Sequence, residues 1–204
     1  MNYLNNIGHY QIKEQVLVNR MAALCFFLAI TTGQMKSQDT IAEITYRPIG
    51  VFHTPYTPKT GAPRQGILIP EAKGTIEIFP IYKSALTTLG LFEYIIVLYH
   101  FNEVEKWEPT VYPPAANHEH NFGLFSTRSP KRPNPIGLSI VKLEKITDGV
   151  LYVSGIDAFD GTPVLDIKPY LPSVDCPKSL VNELMEKELG HHDEDFINDS
   201  SFYK

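Results

Sequence analysis

Residues 137–157 read GLSIVKLEKITDGVLYVSGID and contain the clearest local structural signal in the chain. Two strand-like runs, 137–146 and 150–157, are rich in β-branched and aromatic residues. Asp148-Gly149 lies between them, and this dipeptide is typical of tight hairpin turns because its residues tolerate a positive φ. The stretch therefore predicts a β-hairpin.

Other short strand-like runs lie on both sides of this hairpin, separated by Pro and Gly. The run 92–101 (FEYIIVLYHF) is the strongest, and it is apolar enough to predict a strand buried on both faces. Many short strands at regular spacing indicate a small β-barrel. The remaining predicted strands are 44–53, 74–79 and 164–167, the last of them after an Asp160-Gly161 turn.

Helical signals are few. A short helix is predicted over 82–89, ending at Gly90, and a second over 177–189, capped by Asp175 and with one apolar face. The predicted fold class is mainly β (α+β): a small β-barrel with short peripheral helices and a C-terminal helix. The predicted domains are an N-terminal extension over 1–43, the barrel over 44–176, and a helix with an acidic tail over 177–204.

Composition allows one domain with tails and indicates a reducing compartment. The chain has 204 residues, 43% of them apolar, and a net charge of −5. Seven acids against three lysines after residue 176 account for −4 of that charge, so the remainder is nearly neutral and a local cationic surface could still bind RNA. Cys25 and Cys176 have neither metal nor redox spacing. We therefore expect a cytoplasmic protein.

The N-terminal region contains an apolar run, MAALCFFLAI at 21–30, preceded by Lys13 and Arg20. It resembles part of a signal peptide but is too short to span a bilayer as a helix. Met35 opens a segment that resembles a natural protein start. Three interpretations stay open: a misassigned start at Met1 or Met21, a true export signal, and a packed N-terminal helix.

Residues 126–137 read STRSPKRPNPIG, in which three cations (Arg128, Lys131 and Arg132) alternate with three prolines. Each proline fixes its own φ and restricts the residue before it, so the segment should be a stiff, extended loop. Cations held in fixed positions suit an anionic ligand such as a phosphate or a carboxylate. The alternative is a basic linker without a ligand.

Several common chemistries have no sequence signal here. The chain contains no GxGxxG or Walker A glycine loop and no GxSxG nucleophile elbow. His118 and His120, together with His100, could form a three-histidine metal site, but an exposed polar loop is the better explanation of the first two. We predict no metal.

Two long proline-containing motifs, STRSPKRPNPIGLS (126–139) and DGTPVLDIKPYLP (160–172), are similar to the signature of the TsaA/TrmO family. The blocks RPIGVFHTPY, GAPRQG and FEYIIVLYHFNEVEKW also resemble that family, so the resemblance covers about 44–175. It implies a β-barrel methyltransferase that uses S-adenosylmethionine and acts on tRNA as a homodimer. Longer bacterial members carry an extra segment after DIKPYLP, whereas this sequence has only a predicted helix and an acidic tail there. The resemblance therefore does not specify the surface that docks tRNA.

The resemblance also implies a set of cofactor-binding residues. Phe101 or Leu138 would pack against the adenine, and Arg64 or Arg128 would pair with the carboxylate of the cofactor or with RNA phosphate. Backbone groups at 160–162 would read the adenine edge, because a glycine there permits close approach. The full set is Pro63, Arg64, Gln65, His100, Phe101, Arg128, Leu138, Asp160, Gly161, Thr162 and Pro163.

The implied reaction is methyl transfer to N6 of N6-threonylcarbamoyladenosine beside a tRNA anticodon. The reacting nitrogen must lose a proton, for which Asp160 and His100 are the candidate bases. Lys131 and Arg132 are the expected RNA contacts. Two alternatives from other classes remain: a barrel that binds cofactor or RNA without turnover, and a metal-dependent hydrolase.

Overall fold

The computed structural model describes residues 43–112 and 121–178. Six strands of this part form a closed barrel in the order β1-β2-β7-β6-β3-β8, and the short strands β4 and β5 pair separately. The predicted β-barrel is therefore confirmed. The strands are β1 (Gly50–His53), β2 (Lys73–Ile78), β3 (Tyr94–His100), β4 (Thr110–Val111), β5 (Phe122–Gly123), β6 (Ile136–Thr147), β7 (Val150–Ser154) and β8 (Pro163–Pro169).

The predicted hairpin is formed by β6 and β7. Thr147 pairs with Val150, and the two turn residues between them, Asp148 and Gly149, have φ of 52° and 83°. Both values lie in the left-handed region, as a two-residue hairpin turn requires. Strand β7 ends at Ser154, so the last residues of the predicted strand leave the sheet.

The prediction that the run at 92–101 is buried on both faces is wrong. Ile95, Val97 and Tyr99 of β3 point into the barrel core, whereas Tyr94 is 39% exposed on the outer face. An antiparallel barrel wall packs on one side only, so burial alternates along its strands. The buried side chains of all six barrel strands form a single core.

The predicted helix over 82–89 is replaced by two 3-10 helices, Pro80–Leu86 and Leu89–Leu91. Thr88, with a φ of 71°, separates them, because a left-handed residue cannot continue a right-handed helix. Asp175, the predicted cap of the next helix, itself lies in a short helix. It ends a four-residue α-helix, Pro172–Asp175, and its Oδ2 accepts a hydrogen bond from the Leu171 N–H at 2.7 Å.

Several predictions fall on other parts of the chain. The apolar run at 21–30 and most of the helix predicted over 177–189 lie outside the described residues, as do His118 and His120. Within 43–112 and 121–178, none of the helices has the length and apolar character needed to cross a membrane.

Three chain segments meet at one end of the barrel, where β3 ends and β6 begins. His100 pairs with Ile136, and the Phe101 N–H donates to the Pro135 carbonyl at 2.8 Å, which fixes the proline-rich loop to β3. Beyond Ser154, the chain runs irregularly past β6 and brings Asp157 to Ser139. A cavity opens at this end of the barrel.

Candidate functional site

A cavity of about 300 Å³ opens between the end of β3, the start of β6 and the proline-rich loop. Its walls combine apolar groups, three arginines and one carboxylate. Six of the eleven predicted cofactor residues line it: Pro63, Arg64, Gln65, Phe101, Arg128 and Leu138. The other lining residues are Tyr99, Thr127, Pro130, Arg132, Ile136, Gly137 and Asp157.

The segment 63–65 reaches the cavity because the chain crosses another backbone segment closely at Gly66. A Cβ on Gly66 would lie 1.9 Å from the Gly155 carbonyl oxygen, so only glycine allows this approach. The Gly66 N–H donates to Oδ2 of Asp157 at 3.0 Å. This glycine therefore places the predicted APRQ block beside the segment that follows β7.

Two predicted blocks that are far apart in sequence are joined by Arg128. Its guanidinium Nη1 donates to Oε1 of Gln65 at 2.5 Å, and Nε2 of Gln65 donates to the Arg64 carbonyl at 2.6 Å. Because a guanidinium has five N–H donors, this bond leaves Arg128 able to bind an anion as well. The pairing holds the cation at the cavity edge.

The proline-rich loop is also held by one of its own side chains. Nη1 of Arg132 donates to the carbonyls of Thr127 and Ser129 at 3.0 and 3.4 Å. The Arg132 guanidinium carbon also lies 5.5 Å from the centre of the Phe125 ring. Lys131 instead points to Glu108 in an exposed ion pair of 2.9 Å, an arrangement that contributes little stability.

Asp157 is the site residue that the sequence reasoning missed. Its Oδ1 accepts hydrogen bonds from Ser139 Oγ and, at 3.4 Å, from the Tyr99 hydroxyl. Burial raises the pKa of Asp157 to about 6, although the hydrogen bonds from Ser139, the Gly66 N–H and Tyr99 act in the opposite direction. The available signal was an acid at the end of the apolar strand-like run 150–157, in GIDAF.

The Asp157 network depends on close packing at the start of β6. A Cβ on Gly137 would lie 2.2 Å from the Tyr99 ring, so the ring occupies the space that a larger residue would need. The ring also packs edge-on against Phe101, with centres 5.2 Å apart. Tyr99 is thereby fixed with its hydroxyl toward Asp157 and Ser139.

The other five predicted cofactor residues do not line the cavity of about 300 Å³. Thr162 and Phe101 line a small adjacent cavity of about 20 Å³, whose wall also includes Tyr99 and Asp157. Neither cavity is lined by His100, Asp160, Gly161 or Pro163. The structure thus brings seven of the eleven residues to two neighbouring cavities.

The two candidate bases have other surroundings. Oδ1 of Asp160 accepts from the Thr54 N–H at 3.1 Å and lies 3.7 Å from Nδ1 of His53. Gly161, with a φ of 77°, forms the turn before β8. His100 is the last residue of β3 and has an outward register position, opposite to that of the buried Tyr99.

The cavity can bind a ligand of mixed character. The guanidinium groups suit an anionic group, the Asp157 carboxylate suits a cation or a donor, and Phe101 and Leu138 offer apolar surface. Within 43–112 and 121–178, His, Cys, Asp and Glu side chains form no group of three that could hold a metal ion. The side chains of this cavity can bind such a ligand and, through Asp157, accept a proton.

Comparison with known proteins gives a consistent set of similarities. A family model, the tRNA-methyltransferase O N-terminal domain, matches residues 51–176. A Pyrococcus abyssi protein named as a probable S-adenosyl-L-methionine-binding protein is 38% identical over 160 residues, covering 78% of this chain and 85% of the relative.

Two further proteins carry more specific names. The tRNA (adenine(37)-N6)-methyltransferase of Escherichia coli K12 is 38% identical over 140 residues, which are 65% of this chain and 60% of that enzyme. A crystal structure of TrmO superposes with a TM-score of 0.59 at 37% identity and covers 70% of this chain and 64% of that one. The chain thus spans less than two thirds of either protein.

Proposed function

The chain belongs to the family of the tRNA-methyltransferase O N-terminal domain, and from this membership we propose that it transfers a methyl group from S-adenosylmethionine to N6 of an adenosine in tRNA. The substrate proposed is N6-threonylcarbamoyladenosine at position 37, beside the anticodon. A tRNA substrate also supports a cytoplasmic location. The observation that carries the proposal is the convergence of six family-motif residues on one cavity.

The cavity fits S-adenosylmethionine in size and in chemistry. Its volume of about 300 Å³ lies within the usual range for small-molecule sites. Phe101 and Leu138 provide apolar surface for the adenine, and Arg128, supported by Gln65, provides donors for the carboxylate. When bound, the cofactor supplies an activated methyl group, so the main tasks of the protein are positioning and exclusion of water.

Loss of the N6 proton requires an acceptor near the reacting atoms. We assign this role to Asp157, because its carboxylate lines the cavity whereas Asp160 and His100 do not. Ser139, Tyr99 and the Gly66 N–H hold the carboxylate in one orientation. A carboxylate with a pKa of about 6 is mostly ionised at neutral pH and remains basic enough to accept a proton.

The decisive experiment is methylation of purified tRNA. The protein should be incubated with S-adenosylmethionine and with tRNA from a strain lacking this modification, and the digested nucleosides analysed by mass spectrometry. A methylated threonylcarbamoyladenosine peak that requires both protein and cofactor is the expected result. Cofactor binding without any methylated nucleoside would support the non-catalytic module instead. Tight stoichiometric zinc, with a hydrolytic activity that a chelator abolishes, would support the hydrolase.

Arg128→Ala should weaken S-adenosylmethionine binding by roughly 10- to 100-fold, the effect of removing one charge-assisted hydrogen bond. Isothermal titration calorimetry measures this directly. Arg128→Lys should recover only part of the affinity, because a single ammonium cannot donate to Gln65 and to the ligand in the same geometry. Wild-type affinity in Arg128→Ala would remove Arg128 from the cofactor site.

We also propose that a second copy of the chain covers the outer face of β3 and β6. Ile136, Leu138 and Ile140 project outward from β6 and are 39–45% exposed, next to Ile96 and Leu98 of β3. A continuous apolar surface beside a binding cavity is typical of an interface. Because Leu138 also lines the cavity, the two copies would meet at the site.

Ile140→Glu should convert the proposed homodimer to a monomer, since a desolvated carboxylate in an apolar interface has no partner. Light scattering after size-exclusion chromatography measures the mass. Ile81→Glu, at an exposed position on a 3-10 helix, is the matched control and should leave the mass unchanged. A wild-type protein that is monomeric at micromolar concentration contradicts the dimer.

A further inference from the structure

A third cavity, here called the Trp107 pocket, adjoins the cavity of about 300 Å³ to which the cofactor is assigned, here called the cofactor cavity. Its volume is about 460 Å³, and it forms between the segment that follows β3 and the proline-rich loop. Arg132 lines both cavities, so the two are neighbours. The lining residues are Val104, Glu105, Lys106, Trp107, Arg132, Pro133 and Pro135.

Trp107 is 55% exposed although it carries the largest apolar side chain in the protein. An exposed indole on a cavity wall is typical of a surface that binds a flat ring, because stacking removes apolar area from water on both partners. Trp107 is also the sole tryptophan of the chain. Fluorescence from this residue therefore reports directly on the pocket.

The opposite wall is rigid and cationic. Arg132 has one guanidinium nitrogen committed to two backbone carbonyls and lies over the face of Phe125. Among the described residues, its other N–H groups have no hydrogen-bond acceptor, so they can donate to a ligand. Pro133 and Pro135 add flat apolar surface that loses little entropy on binding.

The charges around the pocket favour a ligand that is apolar in the middle and negative at its edge. Lys106 and Arg132 contribute two positive charges against the single carboxylate of Glu105. A nucleotide has this distribution, with an aromatic base and a phosphodiester on either side. Aromatic stacking combined with cations is the usual way in which proteins bind single-stranded nucleic acid.

We propose that the Trp107 pocket binds an unpaired nucleobase of the tRNA substrate, the one adjacent to the adenosine that is methylated. This inference rests on the proposed function, in which the methylated base must approach the cofactor in the neighbouring cavity. A base modified on its edge must leave the stack, and its neighbour then loses a stacking partner. With the target base at the cofactor and its neighbour in the Trp107 pocket, such a splayed strand would place two consecutive nucleotides around Arg132.

The test uses synthetic anticodon stem-loop RNA and the emission of Trp107. Wild-type protein should lose fluorescence on titration with this RNA. Two otherwise identical RNAs each carry one abasic nucleotide, on the 5′ or on the 3′ side of the target adenosine. One of the two should bind roughly 5- to 100-fold more weakly than the intact RNA, with less quenching. Trp107→Ala should raise the KM for RNA by a similar factor and leave S-adenosylmethionine affinity unchanged, whereas Trp107→Phe should recover most of the loss.

Leu91→Ala, at a residue that is 81% exposed on another part of the barrel surface, is the matched control and should behave as wild type. Absence of quenching, or equal quenching by every abasic RNA, overturns the pocket assignment even if tRNA is methylated. Absence of methylation and of cofactor binding by the wild type is instead a failure of the proposed function. An unchanged KM in Trp107→Ala also overturns the assignment.

Discussion

Asp157→Asn should lower the rate of methyl transfer by about 10²- to 10⁴-fold, the usual contribution of a general base, while S-adenosylmethionine still binds. Asparagine has nearly the same shape, and its oxygen can still accept from Ser139 and Tyr99. It loses the ability to take a proton, and the Gly66 N–H loses its acceptor because the amide nitrogen takes the place of Oδ2. Single-turnover methylation of tRNA, with calorimetry of the cofactor, separates the chemical step from binding.

Asp160→Asn is the matched control for this substitution. Its oxygen can still accept from the Thr54 N–H, so the turn before β8 should persist and the rate should change little. The opposite pattern, with Asp160→Asn inactive and Asp157→Asn active, would assign the base to Asp160. Equal activity of both variants and the wild type would leave proton transfer to water.

The pH dependence provides a second measurement on Asp157. A base must be deprotonated to act, so kcat/KM should rise with pH through a pKa of about 6 and then level off. This rise should be absent from the residual activity of Asp157→Asn. A wild-type profile that is flat from pH 5 to 7 contradicts the assignment.

The same pKa also affects stability. The folded protein holds the Asp157 proton more tightly than the unfolded chain does, because the pKa is raised from 3.8 to about 6. The stabilisation of the folded state by this proton is fully present below pH 3.8 and is lost as the pH rises through about 6. The resulting fall in the free energy of unfolding is about 3 kcal/mol. Urea unfolding at several pH values should show this decline relative to Asp157→Asn.

Gly66→Ala should lower the free energy of unfolding by on the order of 3 kcal/mol and disrupt the site as well. The new Cβ would overlap the Gly155 carbonyl, which belongs to the backbone and cannot turn aside as a side chain would. Separating the two segments would also lengthen the hydrogen bond from the Gly66 N–H to Asp157. Thermal unfolding and the methylation assay measure the two effects.

Gly90→Ala is the matched control, since a Cβ on Gly90 meets no atom within 4 Å. It should leave stability and activity close to wild type. A Gly66→Ala protein as stable and active as Gly90→Ala would show that the crossing near Gly155 tolerates a side chain. The close approach would then have no part in placing the cavity residues.

Local chemistry in the sequence determined the strands, their turns and the stiff loop. The positive φ at Asp148 and Gly149 is a property of those residue types, and the prolines around Arg132 restrict the backbone without help from the rest of the fold. The family motifs likewise identified six residues of the cofactor cavity from the sequence alone. Burial on both faces of β3 was mispredicted, because the number of packed faces is a property of the barrel and not of a strand.

The tertiary structure alone placed Asp157 in the cavity. Its sequence neighbours are ordinary, and its raised pKa results from groups remote in the chain: Ser139 from β6, Tyr99 from β3 and the Gly66 N–H. The Trp107 pocket likewise exists because the segment that follows β3 lies against the proline-rich loop. Desolvation and shared cavity walls depend on which segments the closed barrel brings together, and no local pattern specifies that.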